Sequence, residues 1–335
     1  NKPPKMSICE CEEKLYSYEY PKLLMPFEPH VNQFKNSVNS ILLDSVLKFG
    51  YYTEKDTLII NSIIDFCCEC FPSADLNRLL LSSKYILNVF TFDDSVMENK
   101  QGQFFSNIMA IQQEDIKCEI KLLDSAKFDK HSPVAQSFYD YWSAMKIYTN
   151  QIWQKRFAKS FITYVKSMNW EKSQLENNLI PKLDEYKKMR IETGAVEASL
   201  NVLAFSLNIF LSDEVMSNTV IQSLHNSAAR HSLFINDFTS FEKERRDGEM
   251  CNLVIAIKHE YNISYQEAIF KAGEILDDEV KIFLNNFHSI PSFGIEIDLE
   301  VKKYVLGLQQ WIKSNYDFSI TSCRYPRLKY TKSEL

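Results

Sequence analysis

Glycine is the residue that this sequence most lacks. Only 7 of the 335 residues are glycine, about 2% against the roughly 7% of an average protein. Neither G-x-G-x-x-G nor G-x-x-x-x-G-K-[ST] occurs, which excludes a Rossmann dinucleotide site and a P-loop. A glycine-poor chain rich in Leu, Ile, Lys, Glu, Asn and Ser predicts long helices with few sharp turns.

Proline is nearly as scarce, and half of it lies at the N-terminus. Five of the 10 prolines fall within the first 30 residues. Because proline removes a backbone donor and fixes φ, residues 1–30 are predicted to form an irregular arm, followed by one domain over residues 31–335. Useful strand alternation and internal repeats are both absent, so we expect an all-α bundle of about ten or more helices.

Apolar periodicity, caps and breakers indicate the helix boundaries. Ser73 is expected to cap the third helix, and Pro181 to kink a later one. The segment 194–211 is apolar nearly all round and is predicted to lie in the centre of the fold. The expected helices cover 31–49, 56–71, 73–98, 103–125, 133–168, 173–190, 194–211, 213–246, 252–261, 264–287 and 298–314.

Neither sign of charge dominates, and long apolar runs are missing. The chain has 38 basic and 44 acidic residues, a net charge of −6, which does not match a nucleic-acid backbone. Its longest uncharged stretch, 198–212, is too short to span a membrane, and no apolar signal region is visible near the N-terminus. We therefore expect no nucleic-acid partner and no membrane span.

Matched cysteine pairs are absent as well. None of the 8 cysteines belongs to a C-x-x-C pair with a matching partner, so a zinc site is not predicted. Cys67, Cys68 and Cys70 lie in an apolar run and are predicted to be small core residues. Free thiols fit a reducing compartment, and we expect a cytoplasmic protein.

The expected third helix ends in a cluster of carboxylates. Asp94 and Glu98 are four residues apart and share a face, and Asp93 lies about 100° away. Carboxylates in this arrangement can bind hard divalent cations. Acidic side chains also oppose the helix dipole at a C-terminus, which favours a bound cation over a solvated helix end. The acidic run 277–279 is not completed, because position 281 is lysine, and we interpret it as solvated surface.

A second polar stripe lies in a later helix. Asn236, Ser240 and Glu244 stand at i, i+4 and i+8, so successive members rotate by about 40° and line one face. An amide oxygen, a hydroxyl and a carboxylate form an oxygen-only ligand set suited to Mg²⁺. The preceding run, 231–235, is largely apolar, so the helix face becomes polar where it would face a cavity.

These two motifs together resemble those of the microbial-type class I terpene synthases. The family's D-D-x-x-x-[DE] and N-D-x-x-S-x-x-K-E motifs are matched by Asp93-Asp94-x-x-x-Glu98 and by Asn236-Asp237-x-x-Ser240-x-x-Lys243-Glu244. The first match is the looser one, because it ends in Glu rather than Asp and has one residue more than the D-D-x-x-D form. The second match is the more specific one.

Further family positions occur at matching distances, over a resemblance that spans roughly residues 31–330. Arg190 lies 46 residues before Asn236, where the family has its diphosphate sensor. Thr193 and Gly194 follow, where the family breaks a helix beside the substrate, and a backbone reason for this rare glycine is expected. The pair Arg324-Tyr325 comes about 80 residues after the second motif. The stretch 311–318 leading to it is also similar, with Phe where Trp is common.

The resemblance implies a class I terpenoid synthase fold, a helical bundle around a central cavity. It implies Mg²⁺-dependent ionisation of a linear prenyl diphosphate, farnesyl diphosphate first among them, and cyclisation to a sesquiterpene with release of diphosphate. The enzyme would be a lyase of the EC 4.2.3 type, a monomer or homodimer, using three Mg²⁺ ions for which Mn²⁺ can substitute. The implied metal ligands are Asp93, Asp94, Glu98, Asn236, Ser240 and Glu244.

The implied diphosphate ligands are Arg190, Lys243, Arg324 and Tyr325, and the implied catalytic residues are these four with Thr193 and Gly194. A dry pocket must then hold the cation, and aromatic faces attract it by about 0.5–2 kcal/mol each. Phe90 lies one turn before Asp93 and is expected to face the same cavity. Phe66, Trp311 and Phe318 are further candidates for this pocket.

Four other functions differ from this one in the substrate or motif that they require, and the motifs of the second and third are absent here. A diterpene synthase would use geranylgeranyl diphosphate with the same motifs. A prenyl chain-elongating synthase would carry a second D-D-x-x-D motif in place of the Asn-Ser-Glu stripe. A protonation-initiated cyclase needs D-x-D-D, and the nearest match, at 275–278, lacks the first aspartate. A non-catalytic helical scaffold would bind no metal-dependent ligand.

Overall fold

A computed structural model describes residues 17–48, 56–97, 101–111, 118–322 and 328–331. These residues form fourteen α-helices, one short 3₁₀ helix and two strands of two residues, which confirms the expected all-α class. The helices are α1 Lys35–Lys48, α2 Thr57–Cys70, α3 Leu76–Met97, α4 Gly102–Ala110, α5 Glu119–Asp124, α6 Pro133–Ile147, α7 Gln151–Glu176, α8 Leu183–Thr193, α9 Val196–Ser206, α10 Asp213–Met216, α11 Thr219–Asp247, α12 Leu253–Tyr261, α13 Tyr265–Phe287 and α14 Ile295–Thr321. The 3₁₀ helix is Ser125–Phe128, and the strands are β1 Glu19–Tyr20 and β2 Lys329–Tyr330.

Helices α9 and α11 form the centre of the bundle. Eight of the 11 residues of α9 are buried, as its apolar sequence predicts. Helix α11 packs against α13 and α14 and buries sixteen of its residues. Cys67, Cys68 and Cys70 are fully buried in the core, as predicted. Among the described helices, none is long and apolar enough to cross a bilayer.

Several predicted helix boundaries are wrong because polar caps interrupt the apolar pattern. The expected helix 133–168 is broken at 148–150, where the Asn150 side chain accepts the Trp153 N–H and starts α7. Pro181 does not kink a helix: α7 ends at Glu176, Asn178 has a φ of 51°, and the proline lies in the connection to α8. The expected helix 213–246 is divided at Asn218, which caps α11.

The cap of the third helix also differs from the prediction. Ser73 precedes the helix, but the Asp75 carboxylate accepts the Arg78 N–H at 2.9 Å. An aspartate at this position satisfies one of the first unpaired N–H groups of α3. The helix therefore starts about two residues later than expected.

We expected the acidic run 277–279 to be solvated surface, and this is wrong for two of its three carboxylates. Both carboxylate oxygens of Glu279 accept hydrogen bonds from Arg230 of α11, at 2.6 and 2.9 Å, and Glu279 is buried. Asp277 accepts the backbone N–H of Leu24 at 2.7 Å. Only Asp278 has the expected surface role, paired with exposed Lys281. Two of the three carboxylates therefore connect separate parts of the fold.

The N-terminal arm is fastened to α11. The backbone N–H groups of Ser17 and Tyr18 donate to the two carboxylate oxygens of Glu242, at 2.9 and 3.2 Å, and Glu242 is only 4% exposed. The Tyr20 ring packs edge-on against Phe238 with centroids 5.1 Å apart. Strand β1 pairs in parallel with β2. Residues 19–20 and 329–330 thus meet, and the adjoining residues 17–18 are bound to the helix that carries the second motif.

This anchor yields a stability prediction. Glu242→Ala removes a charged acceptor shared by two backbone donors, and hydrogen bonds to charged groups contribute about 1.5–3 kcal/mol. We expect the free energy of unfolding to fall by about 2 kcal/mol in urea denaturation, with faster hydrogen exchange at 17–20. Exposed Glu274 of α13 provides the control variant, Glu274→Ala. Equal losses in the two variants would contradict the anchoring role.

Candidate active site

A cavity of about 140 Å³ lies among α2, α3, α8, α9, α11 and α14. The four aromatic side chains expected at a pocket, Phe66, Phe90, Trp311 and Phe318, all line it. Their rings form a continuous group: the centroid of Phe318 lies 4.6 Å from that of Phe66 and 6.1 Å from that of Phe90. The cavity therefore has an apolar aromatic wall built by three helices.

Polar residues of the two sequence motifs line the same cavity. Asp93 comes from α3 and Asn236 from α11, although they are 143 positions apart in the chain. The Asp93 carboxylate accepts a hydrogen bond from the Tyr164 hydroxyl of α7. The side chain of Asp94 and all of Glu98 lie outside the described residues. The structure thus brings one member of the first motif opposite one member of the second.

Arg190 of α8 also lines the cavity and contacts the second motif directly. Its Nη2 donates to the amide oxygen of Asn236 at 3.0 Å, and its Nε donates to the Asp237 carboxylate at 2.9 Å. Burial opposes the charge of Arg190, but the surrounding carboxylates, Asp237 first, outweigh it and raise the Arg190 pKa. The guanidinium is therefore held as a cation at the edge of the cavity.

Asp237 supports the second motif from the protein interior. It is almost fully buried, and besides Arg190 it accepts hydrogen bonds from the Tyr186 hydroxyl and from the Leu253 N–H, the latter at 3.1 Å. These contacts join α8, α11 and the start of α12. Since its oxygens are engaged in this way, the Asp237 carboxylate orients Arg190.

The three members of the second stripe lie on uninterrupted α11, so the expected common face is present. The Ser240 hydroxyl donates to the Asn236 carbonyl at 2.7 Å, and the Glu244 carboxylate accepts from the Asn252 amide at 2.9 Å. Burial and then nearby Asp237 raise the pKa of Glu244, against these hydrogen bonds. A cation at this place would relieve the concentration of negative charge.

The donor set of this stripe suits a hard divalent ion. It offers an amide, a hydroxyl and a carboxylate oxygen, ligand types that Mg²⁺ accepts together with water. Among the described residues, no three His, Cys, Asp or Glu side chains gather into a metal cluster. A cation bound here would therefore depend on the mixed oxygen ligands and on the opposite wall of the cavity.

The break between α8 and α9 passes along the cavity at Gly194. Gly194 has a φ of −89°, and the left-handed conformation falls on Ala195, whose φ is 56°. We expected a backbone reason for the glycine, and this was wrong. Space is the reason: a Cβ at position 194 would lie 2.1 Å from Leu233 Cδ2. Thr193, just before it, is buried and also lines the cavity.

Comparison with known families identifies the family to which the chain belongs. The model of "Terpene synthase family 2, C-terminal metal binding" matches residues 84–282, more than half of the chain and a range that includes both motifs. The chain belongs to this family. It is a terpene synthase, a lyase of the EC 4.2.3 type, and its family is consistent with the use of a divalent metal.

Curated relatives cover nearly the whole terpene synthase chain. It is 26% identical to 10-epi-cubebol synthase of Sorangium cellulosum in an alignment 323 residues long that covers 90% of this chain and 97% of the relative. It is 25% identical to (+)-T-muurolol synthase of Roseiflexus castenholzii, over 91% of this chain and 93% of the relative. That relative is described as cyclizing (2E,6E)-farnesyl diphosphate. Sesquiterpene synthase 3 of Postia placenta is 29% identical over 92% of this chain and 83% of its own.

Solved structures share the fold of this terpene synthase. Linalool/nerolidol synthase from Streptomyces clavuligerus superposes with a TM-score of 0.73 at 16% identity, covering 89% of this chain and 99% of the other. The crystal structure of α-eudesmol synthase gives a TM-score of 0.72 at 18% identity, with coverages of 90% and 99%. At these identities the likeness establishes the class I fold of the synthase.

Arg324 and Tyr325 lie outside the described residues, and Lys243 is exposed on α11.

Glu171 of α7 was missed by sequence reasoning. Burial raises its pKa to about 7, although the Arg190 charge acts against this shift. No motif marks Glu171 in the sequence, because its place beside the site depends on the packing of α7 on α8.

Proposed function

We propose that this terpene synthase is a sesquiterpene cyclase that ionises farnesyl diphosphate and cyclises the resulting cation. One observation supports this most directly: a single cavity is lined at once by Asp93, Arg190 and Asn236 and by the aromatic wall. The polar side suits an anionic leaving group, whereas the aromatic side suits a hydrocarbon cation. The substrate described for the muurolol synthase relative supports the same proposal.

Metal ions are proposed to bind on both sides of the cavity. Asp93, with Asp94 and Glu98, would hold ions on α3, and Asn236, Ser240 and Glu244 would hold one on α11. When bound, three Mg²⁺ ions, for which Mn²⁺ can substitute, neutralise the diphosphate oxygens as the C–O bond breaks. The oxygen-only ligand types of the stripe are the feature of this chain that favours such ions.

Arg190 links the metal stripe to the diphosphate. Its Nη2 donates to the Asn236 amide oxygen, the same atom that is proposed as a metal ligand. The guanidinium therefore lies beside the oxygen that would hold an ion, where its N–H groups could also bind a diphosphate oxygen. The contact from Nε to Asp237 keeps the group oriented. Planar guanidinium groups are suited to such contacts with phosphate. Lys243, Arg324 and Tyr325 are proposed as additional diphosphate ligands.

The aromatic wall and the helix break are proposed to guide the carbocation. The faces of Phe90, Phe66, Phe318 and Trp311 can each stabilise positive charge by about 0.5–2 kcal/mol without trapping it. The backbone carbonyl of Gly194 is proposed to present a fixed dipole at the helix break.

Turnover of defined substrates tests the proposal. Purified protein is incubated with Mg²⁺ and C10, C15 or C20 prenyl diphosphate, and the volatile extract is analysed by mass spectrometry, with EDTA as the control. We expect cyclic C15 products from farnesyl diphosphate only when Mg²⁺ is present. Preferential use of the C20 substrate would identify a diterpene synthase. Longer prenyl diphosphates formed with isopentenyl diphosphate would identify an elongating enzyme, and no turnover at all would reject the proposal.

A further inference from the structure

The side chain of Tyr85 connects α3 to the helix break from the protein interior. Tyr85 is fully buried, and its hydroxyl lies 3.3 Å from the Ala195 carbonyl oxygen and 3.0 Å from Ser199 Oγ. Its ring packs edge-on against Tyr141 and Phe157, with centroids 5.9 and 5.8 Å apart. The position of the hydroxyl is therefore fixed by packing on both sides.

Three donors converge on the carbonyl oxygen of Ala195. The Ser199 N–H donates at 3.0 Å and the Ser199 hydroxyl at 2.9 Å, and the Tyr85 hydroxyl is the third. Ala195 has a left-handed φ of 56°, a conformation that costs an L-residue about 1–2 kcal/mol. Such a conformation persists only where its surroundings enforce it. Tyr85 and Ser199 provide that enforcement.

The carbonyl of neighbouring Gly194 differs from that of Ala195 in its hydrogen bonding. The Gly194 N–H donates to the Arg190 carbonyl at 3.0 Å, which fixes Gly194 from the side of α8. Among the described residues, no hydrogen bond ends on the Gly194 carbonyl oxygen, although Gly194 lines the cavity. The direction of this carbonyl depends on the φ of Ala195, because that torsion joins the two peptide planes. Fixing Ala195 therefore also fixes the direction of the Gly194 carbonyl, which has no partner among the residues that the structure describes.

We propose that Tyr85 and Ser199 are positioning residues for the cyclisation, which hold the helix break so that the Gly194 carbonyl is presented to the carbocation. This inference rests on the proposed function and deepens it. Asp93 lies eight residues further along α3, about 12 Å from Tyr85 at 1.5 Å per residue. The Tyr85 hydroxyl thus belongs to a different part of α3 from Asp93, so its loss should affect the product ratio more than substrate binding.

The test compares two buried tyrosines of the same kind. Tyr85→Phe removes only the hydroxyl at the helix break. Tyr141→Phe is the matched control: Tyr141 is equally buried, packs on Tyr85, and donates to the Asn88 side chain at 3.3 Å, away from the break. We expect Tyr85→Phe to lower the cyclic-to-linear product ratio at least about three-fold, with the KM for farnesyl diphosphate changed less than about two-fold. Tyr141→Phe should keep the wild-type product ratio.

Ser199→Ala is the second variant, in case Tyr85→Phe does not fold, and it should shift the product ratio in the same direction. Hydrogen exchange at the Ser199 amide, which donates to Ala195, should accelerate in Tyr85→Phe but not in Tyr141→Phe. An unchanged product ratio in both positioning variants, or an equal change in Tyr141→Phe, would overturn the inference. A wild-type protein that converts no prenyl diphosphate would instead refute the proposed function, and the exchange measurement would still report on the contact itself.

Discussion

Replacing Arg190 with lysine is expected to lower kcat/KM for farnesyl diphosphate about 10²–10³-fold, the loss typical of removing one preorganised donor from a charge-stabilising site. Lysine keeps the positive charge but has a single ammonium group. It cannot contact Asp237 and a diphosphate oxygen in one plane, as the guanidinium can. The loss should appear mainly in kcat, because the leaving group gains charge as the C–O bond breaks.

Arg230→Lys is the matched control for Arg190→Lys. Arg230 forms a comparable ion pair with buried Glu279, but it joins α11 to α13 away from the cavity. Both variants should lose stability, because each leaves a buried carboxylate less well paired. Only Arg190→Lys should lose activity, measured by steady-state kinetics beside urea denaturation. A parallel loss of activity in Arg230→Lys would indicate that Arg190 acts through the fold alone.

The fold class could be predicted from the sequence because it depends on properties summed over many residues. Scarce glycine, scarce proline and helical periodicity all favour a helical bundle. A wrong interpretation of one residue does not change the fold class that these properties predict together. The boundaries depend instead on single side chains. Asn150 and Asn218 end one helix pattern and start another by accepting backbone N–H groups, and apolar periodicity carries no information about such caps.

The site could be predicted as far as its residues share one helix. Phe90 and Asp93 are one turn apart, as are the members of the Asn236 stripe, so their common faces follow from helix geometry. The contacts between helices could not be predicted in this way. Tyr164 reaches Asp93 across 71 positions, Tyr186 reaches Asp237 across 51, and Glu279 reaches Arg230 across 49. These pairs depend on tertiary packing, which has no short-range sequence signal.

The largest effects are expected from the oxygen stripe of α11. Asn236→Ala, Ser240→Ala and Glu244→Gln should each lower kcat by about 10³-fold or more, because each leaves a bound ion without one of its protein ligands. The stripe lies within α11, whose backbone hydrogen bonds these substitutions leave intact. The variants should therefore keep the helical circular-dichroism spectrum of the wild type. His131→Ala and Asp278→Asn, both at exposed positions, serve as controls and should change kcat less than about two-fold.

Combining the substitutions distinguishes a metal site from three separate effects. Ligands of one ion act as a unit, so the double variant of Asn236→Ala with Glu244→Gln should lose little more activity than either single variant. Calorimetric titration with Mg²⁺ and inorganic diphosphate provides a second readout that does not depend on catalysis. We expect each single variant to abolish most of the binding heat, whereas Asp278→Asn should bind as the wild type does. Fully additive losses of activity, with Mg²⁺-diphosphate binding intact, would show that the stripe does not hold an ion.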